Sequence, residues 1–114
     1  MPIKIVENFI SMADLKTLAQ ERFGNMVKGV VDLEKGIMAV GGELHADEEA
    51  VLLEQGSKQI DLWGFNININ QPRDSWLEFN SMINIRPAQN NLSRDIQSEE
   101  IKATIAQAVN NLDK

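Results

Sequence analysis

The chain has 114 residues and a formal net charge of −6, from 11 Lys and Arg against 17 Asp and Glu, and it contains no cysteine. The length is that of one domain, and the composition excludes disulfide bonds, thiolate metal sites and a cysteine nucleophile. Because nucleic-acid affinity depends on Lys and Arg, and because no apolar segment approaches the ~20 residues of a membrane span, we expect a cytoplasmic single domain, residues 1–114, that binds neither nucleic acid nor a membrane.

The first half of the sequence predicts a strand, a helix and a hairpin. Weak alternation over residues 2–7 favours a short strand. A helix follows from Ser11, whose hydroxyl can accept an amide proton of the first turn, and its apolar stripe ends at Gly24. Residues 26–33 and Ile37–Val40 are rich in β-branched or apolar residues with turn residues between them, so we expect an antiparallel hairpin.

The second half of the sequence predicts two helices with two long strands between them. Residues 47–55 carry acids early, where the helix dipole favours them, and Gly56 ends that helix. Residues 58–70 and 75–86 alternate between apolar and polar side chains, which is typical of a sheet with one packed face. The last helix begins near Ser98 and carries two acids in its first turn.

The predicted order of elements is therefore β-α-β-β-α-β-β-α. Hairpins in such a succession, with helices between them, are typical of the α+β class rather than of alternating α/β units. We predict a single α+β domain built on a mainly antiparallel sheet of about five strands, with its three helices on one face of that sheet.

The two long strands place most of their polar residues on one side, which we call the polar strand face. Cross-strand partners lie on the same side of a sheet, so even-numbered residues must pair with even-numbered ones. Solvation is the expected state of this face, and a hydrogen-bonding surface for a ligand or another strand is the alternative. The face comprises Asn66, Asn68, Asn70, Glu78, Asn80, Asn84 and Arg86.

The only histidine lies in an acidic segment that could bind a metal ion. If the chain is extended there, the side chains of Glu43, His45 and Asp47 project from one side. An imidazole and two carboxylates could then bind a divalent metal ion or act as a general base with an orienting carboxylate. The alternative interpretation is that Asp47 caps the following helix and that His45 is an ordinary surface or boundary residue.

A second candidate site follows the last predicted strand. An arginine with neighbouring amides can bind a carboxylate or a phosphate through two hydrogen bonds. The alternative is that the amides form turns and that the arginines neutralise the acids between Glu43 and Glu54. The residues predicted to bind an anion are Asn84, Arg86, Asn91 and Arg94.

Two longer motifs are distinctive in order and wording. They are IMAVGGELHADEE, which starts at Ile37, and FNSMINIRP, which starts at Phe79. Together with Leu62-Trp63-Gly64, they resemble a bacterial family of small uncharacterised proteins that is catalogued as a domain of unknown function. The resemblance implies a single-domain cytosolic protein of a prokaryote, and it supplies neither an activity nor catalytic residues.

Two hypotheses for the function follow. The scarcity of catalytic residue types and the abundance of amides favour a non-catalytic binding or interaction module, which we expect to be a homodimer without a cofactor. The alternative is a small metal-dependent hydrolase or nucleotide-modifying enzyme, in which Glu43, His45 and Asp47 bind a divalent metal ion and Arg86 and Arg94 hold an anion. A pocket shared by Glu43, His45 and Arg86 would favour the enzyme.

Overall fold

The elements of the fold follow the predicted order. The computed structural model describes residues 3–7, 11–72 and 75–110, so residue 2 of the predicted first strand lies outside the described residues. Ser11 caps the first helix as predicted, since its hydroxyl oxygen accepts the amide proton of Asp14 over 3.1 Å. The elements are β1 (Lys4–Val6), α1 (Met12–Arg22), β2 (Met26–Asp32), β3 (Ile37–Val40), α2 (His45–Glu54), β4 (Leu62–Asn68), β5 (Leu77–Glu78) and α3 (Glu99–Asn110).

The five strands form one antiparallel sheet in the order β1-β3-β2-β4-β5. The predicted hairpin is confirmed, because β2 pairs with β3 and places Val30 opposite Ala39. β2 also pairs with β4 along its whole length, which makes it the central strand. The predicted α+β class, antiparallel sheet and three helices are therefore confirmed.

The helices lie on both faces of the sheet, so the prediction of a single covered face is wrong. α1 and α3 share one apolar core with the odd-numbered residues of β2 and β4, whereas α2 packs on the opposite face against β2 and β3. The reason is that β2 and β4 are buried on both sides, and such strands need cover on both. The first core includes Leu15, Ala19, Val27, Val31, Phe65, Ile67, Ile105 and Val109, and the second includes Val30, Ala39, Leu52 and Leu62.

The strand predicted over residues 75–86 is almost entirely replaced by tight turns. β5 is limited to two residues, and 3₁₀ turns follow at Met82–Asn84 and Pro87–Gln89. The first turn forms because the Ser81 hydroxyl accepts the amide proton of Ile83 over 3.3 Å, a local bond that competes with strand pairing. The alternation of the sequence therefore predicts correctly which residues pair across the strands, but the strand is much shorter than predicted.

The strand predicted over residues 58–70 begins only at Leu62, because a 3₁₀ turn occupies Gln59–Asp61. Its pairing with β5 follows the predicted parity, with Asn66 opposite Glu78. The side chains of this pair are also bonded, since the Asn66 amide donates to a Glu78 carboxylate oxygen over 3.0 Å.

The polar strand face is covered at its centre and solvated at its margins, so the expectation of solvation holds only in part. Asn66 and Asn84 are 5% and 0% exposed, because α2 lies over this face and the Met82–Asn84 turn lies against β4. Three residues of the face are exposed and two are half-buried, namely Asn70, Glu78 and Asn80, and Asn68 and Arg86. The two buried amides therefore belong to the interior of the protein, whereas the rest of the polar strand face meets solvent wholly or in part.

Candidate functional site

The acidic segment around the histidine is not extended, so the predicted trio does not converge. α2 begins at His45, and the side chains of Glu43 and Asp47 are exposed whereas His45 is 7% exposed. Asp47 lies in the first turn of α2 and is not its cap. Within residues 3–7, 11–72 and 75–110, no three His, Cys, Asp or Glu side chains lie close enough together to hold a metal ion. The assumption of an extended chain was wrong because the helix starts two residues earlier than predicted.

His45 is held against the sheet by a hydrogen bond to the backbone of β4. Its Nε2 lies 2.8 Å from the carbonyl oxygen of Phe65, which can only accept, so Nε2 carries the proton. Burial lowers the pKa of His45, and the nearby charges of Lys28 and Arg94 lower it further, whereas hydrogen bonding to the Phe65 carbonyl and the Asn66 side chain acts in the opposite direction. The imidazole is therefore neutral at pH 7, and with the proton on Nε2 its Nδ1 can only accept a hydrogen bond.

A second titratable group of α2, Glu48, is buried between this helix and the sheet. Glu48 is 0% exposed, and its Oε2 accepts the amide proton of Gly42 over 2.8 Å. Burial raises the pKa of Glu48 to about 9, so the carboxyl group is protonated at pH 7. Gly42 permits this approach, because a Cβ atom there would lie 2.8 Å from Cγ of Glu48. The end of β3 and the first turns of α2 are thereby locked together.

A cavity of about 280 Å³ opens beside His45, between the start of α2 and the turn that follows β5. Leu44, Ala46, Met82 and Ile83 contribute its apolar wall. No Asp or Glu is among the described residues that line it. Its polar wall consists of Lys28, His45, Asn80, Ser81 and Arg94. The cavity is therefore positively charged within a chain whose net charge is −6.

Among the described residues, no acid forms an ion pair with either of the two cations of this cavity. Lys28 lies on the central strand β2, and its Nζ is 5.3 Å from the ring centroid of Phe23. The carbonyl oxygen of Arg94 accepts hydrogen bonds from the Ser81 amide and the Asn84 side chain, both over 3.1 Å, which fixes its backbone beside the cavity. In the absence of such an ion pair within the described part of the chain, both charges are available to a ligand.

Arg86, the arginine predicted to bind an anion, has its donors engaged within the protein. Its guanidinium donates to the carbonyl oxygens of Leu62, Gln59 and Ile83. It also lies 4.5 Å from the ring centroid of Trp63. Burial lowers the pKa of Arg86, and the charge of Glu49 on α2 acts against that shift. Arg86 does not line the cavity, so it shares no pocket with His45.

The two predicted asparagines hold the chain around the cavity rather than line it. The side chain of Asn84 accepts from the amide of Gly64 over 2.8 Å and donates to its carbonyl over 3.0 Å. The Asn91 side chain donates to the carbonyl oxygens of Asn84 and Asp95, over 2.7 and 2.8 Å. Of the four residues predicted to bind an anion, the structure places only Arg94 at the cavity.

Sequence reasoning missed Lys28, although a signal for it was present. Lys28 is a charged residue between two apolar pairs of β2, Met26-Val27 and Val30-Val31. A central strand normally carries apolar residues on both faces at such positions. A lysine at such a position points to a polar cavity over the sheet. What could not be read from the pattern is that α2 covers this face, since strand periodicity does not say which helix lies on which side.

Comparison with known proteins gives a family without an activity. Residues 4–112 match the model of a family described as a protein of unknown function (DUF5674). The match covers nearly the whole chain, and the chain therefore belongs to this family. No curated protein and no solved structure matches it. Among the described residues, no helix is long and apolar enough to cross a membrane.

Proposed function

We propose that this protein is a binding module for a small oxyanion, a carboxylate or a phosphate group, held between Lys28 and Arg94. One observation carries the proposal: both cations line one cavity, and no acid among the described residues lines it with them. Unpaired positive charges brought together in a concave site favour an anionic ligand, particularly when the rest of the chain is acidic.

The start of α2 supports the same polarity. Leu44, His45 and Ala46 line the cavity, and the capping residue Leu44 has no side-chain hydrogen bond to the helix. The first amides of a helix have no acceptor within it, and its dipole favours negative charge. An oxyanion in the cavity would satisfy these amides while it is held by the two side chains.

The residues of the wall have complementary roles toward such a ligand. The planar guanidinium of Arg94 can hold two oxygens at once, whereas the ammonium group of Lys28 acts as a point charge. The neutral His45 can accept a hydrogen bond through Nδ1 from a protonated oxygen of the ligand, because Nε2 is occupied by Phe65. The arrangement selects by charge and hydrogen bonding, and it contains no activated nucleophile.

Titration of the ¹⁵N-labelled protein with inorganic phosphate and with acetate tests the proposal. We expect the amide resonances of His45 and Ala46 to shift. We expect Arg94→Gln to weaken binding at least about tenfold, since a hydrogen bond to a charged group contributes about 1.5–3 kcal/mol. Lys16→Gln is the matched control, because it removes one positive charge from an exposed position of α1. This control should bind like the wild type.

Two results would contradict the proposal. The first is that neither anion moves the resonances of the cavity. The second is that Arg94→Gln and Lys16→Gln weaken binding equally, because the anion would then respond only to overall charge.

A further inference from the structure

We infer that the ligand carries a short aliphatic chain on its oxyanion, so that the site takes a small amphipathic acid or an alkyl phosphate rather than an inorganic ion. The inference rests on the proposed function and specifies the ligand of the same cavity. It follows from the size of the cavity and from the side chains that line it beside the two cations.

The cavity is too large for a head group alone. Its volume of about 280 Å³ lies just under the range of roughly 300–1,000 Å³ that is usual for small-molecule sites. It is several times larger than a carboxylate or phosphate group, given that one water occupies roughly 30 Å³ in the liquid. An inorganic ion would therefore leave most of the cavity to water.

The remaining wall is apolar and exposed. Leu44 and Met82 line the cavity and are 55% and 66% exposed, which is unusual for large apolar side chains. Ala46 and Ile83 continue this wall. A ligand that brought an aliphatic segment against these residues would remove apolar surface from water on both sides of the contact.

The type of apolar residue indicates an aliphatic rather than a planar ligand. Leu44, Ala46, Met82 and Ile83 are all aliphatic, and no Phe or Trp is among the described residues of the wall. A nucleobase is usually held by stacking on an aromatic side chain or an arginine plane. The one described arginine of this wall, Arg94, is assigned to the oxyanion, and the flexible Met82 adapts to a chain. The chemistry that fits is therefore a flexible carbon chain ending in a carboxylate or phosphate.

Two homologous series of probes test the inference by calorimetry. They are acetate, butyrate and hexanoate, and inorganic phosphate, ethyl phosphate and butyl phosphate. We expect the affinity to rise up to about fourfold for each added methylene that is buried, which corresponds to the transfer of a CH₂ group from water. The series with the higher affinity at equal chain length identifies the head group.

A matched pair of variants locates the effect. Met82→Gln keeps the length of the side chain but not its apolar character, and we expect it to flatten the dependence of affinity on chain length. Leu92→Gln is the control, since Leu92 is 68% exposed and does not line the cavity. It should preserve the full dependence on chain length.

The outcomes separate this inference from the proposed function. If acetate and phosphate bind but affinity does not rise along either series, the inference is wrong and the proposed function stands. If the rise is the same in wild type and Met82→Gln, the chain lies elsewhere and the inference is also wrong. If neither head group binds at all, both fail.

Discussion

Glu48 is the residue whose ionisation couples most directly to folding. The unfolded chain releases this proton near the ordinary pKa of 4.5, whereas the folded protein holds it up to a pKa of about 9. Between these values the folded state binds one more proton than the unfolded state, so the free energy of unfolding falls as the pH rises. The stability that Glu48 allows is therefore fully present below pH 4.5 and is lost by about pH 9.

Replacement of Glu48 by Gln should remove this pH dependence. Gln has the shape of the protonated acid and can still accept the amide proton of Gly42, but it does not titrate. We expect Glu48→Gln to exceed the wild type in stability by an amount that grows from about pH 5 to about pH 9, with a slope of at most ~1.4 kcal/mol per pH unit. Urea unfolding of both proteins at a series of pH values measures the difference.

Glu43→Gln provides the control for this experiment. Glu43 is an exposed acid of the same segment, so its replacement should leave the pH dependence of the wild type unchanged. Parallel stability curves for wild type and Glu48→Gln would show that folding does not raise the pKa of Glu48, and that its carboxyl group is therefore ionised in the folded protein at pH 7.

At the scale of elements, the segment after β5 acts as a substitute for a strand. Asn84 presents an amide to Gly64 of β4 and forms both hydrogen bonds that a neighbouring backbone would form. Gly64 allows the segment to approach, because a Cβ atom there would lie 2.7 Å from Cβ of Ser81. A side chain thus supplies the pairing at a position where the backbone has turned away, and it keeps the wall of the cavity in place.

Asn84→Ala should therefore destabilise the fold strongly. It leaves the amide and carbonyl groups of Gly64 without partners in a buried position, which costs about 1–3 kcal/mol for each unsatisfied group. We expect a total loss of about 3 kcal/mol in urea unfolding. Asn80→Ala removes an equivalent but exposed amide and should cost about 0.5 kcal/mol or less. Equal losses for the two variants would show that the pairing with Gly64 contributes little.

At the scale of the molecule, local sequence patterns predicted the order of the elements. Tertiary contacts determined where α2 begins and which residues meet at the cavity. The cap at Ser11 and the alternation of β4 depend only on residues that are close in the chain, so the sequence predicts both. The sequence does not predict that α2 begins at His45, because the preceding residue, Leu44, has no side chain that could cap a helix. Arg94 was predicted to meet an anion, but its partnership with Lys28 depends on the folding of residues that are far apart in the chain.

We also predict the oligomeric state of the whole molecule, which is a homodimer. The sequence favours a homodimer, and several large apolar side chains, among them Ile60 and Leu92, are 62% and 68% exposed. Light scattering coupled to size exclusion at micromolar concentration should give twice the chain mass of 12.8 kDa. A mass of one chain that does not change with concentration would contradict this prediction. It would not bear on the proposed anion site, because a single chain lines that cavity.

The replacement of a strand by the Met82–Asn84 turn and its neighbours also bears on solubility. An open strand edge recruits the edges of other chains and so promotes aggregation. Along the first half of β4, the Gly64 backbone is bonded to Asn84 and the Leu62 carbonyl to Arg86, so side chains that cannot extend the sheet cap its edge. The conformation that forms one wall of the cavity therefore also prevents this part of β4 from templating intermolecular β-structure.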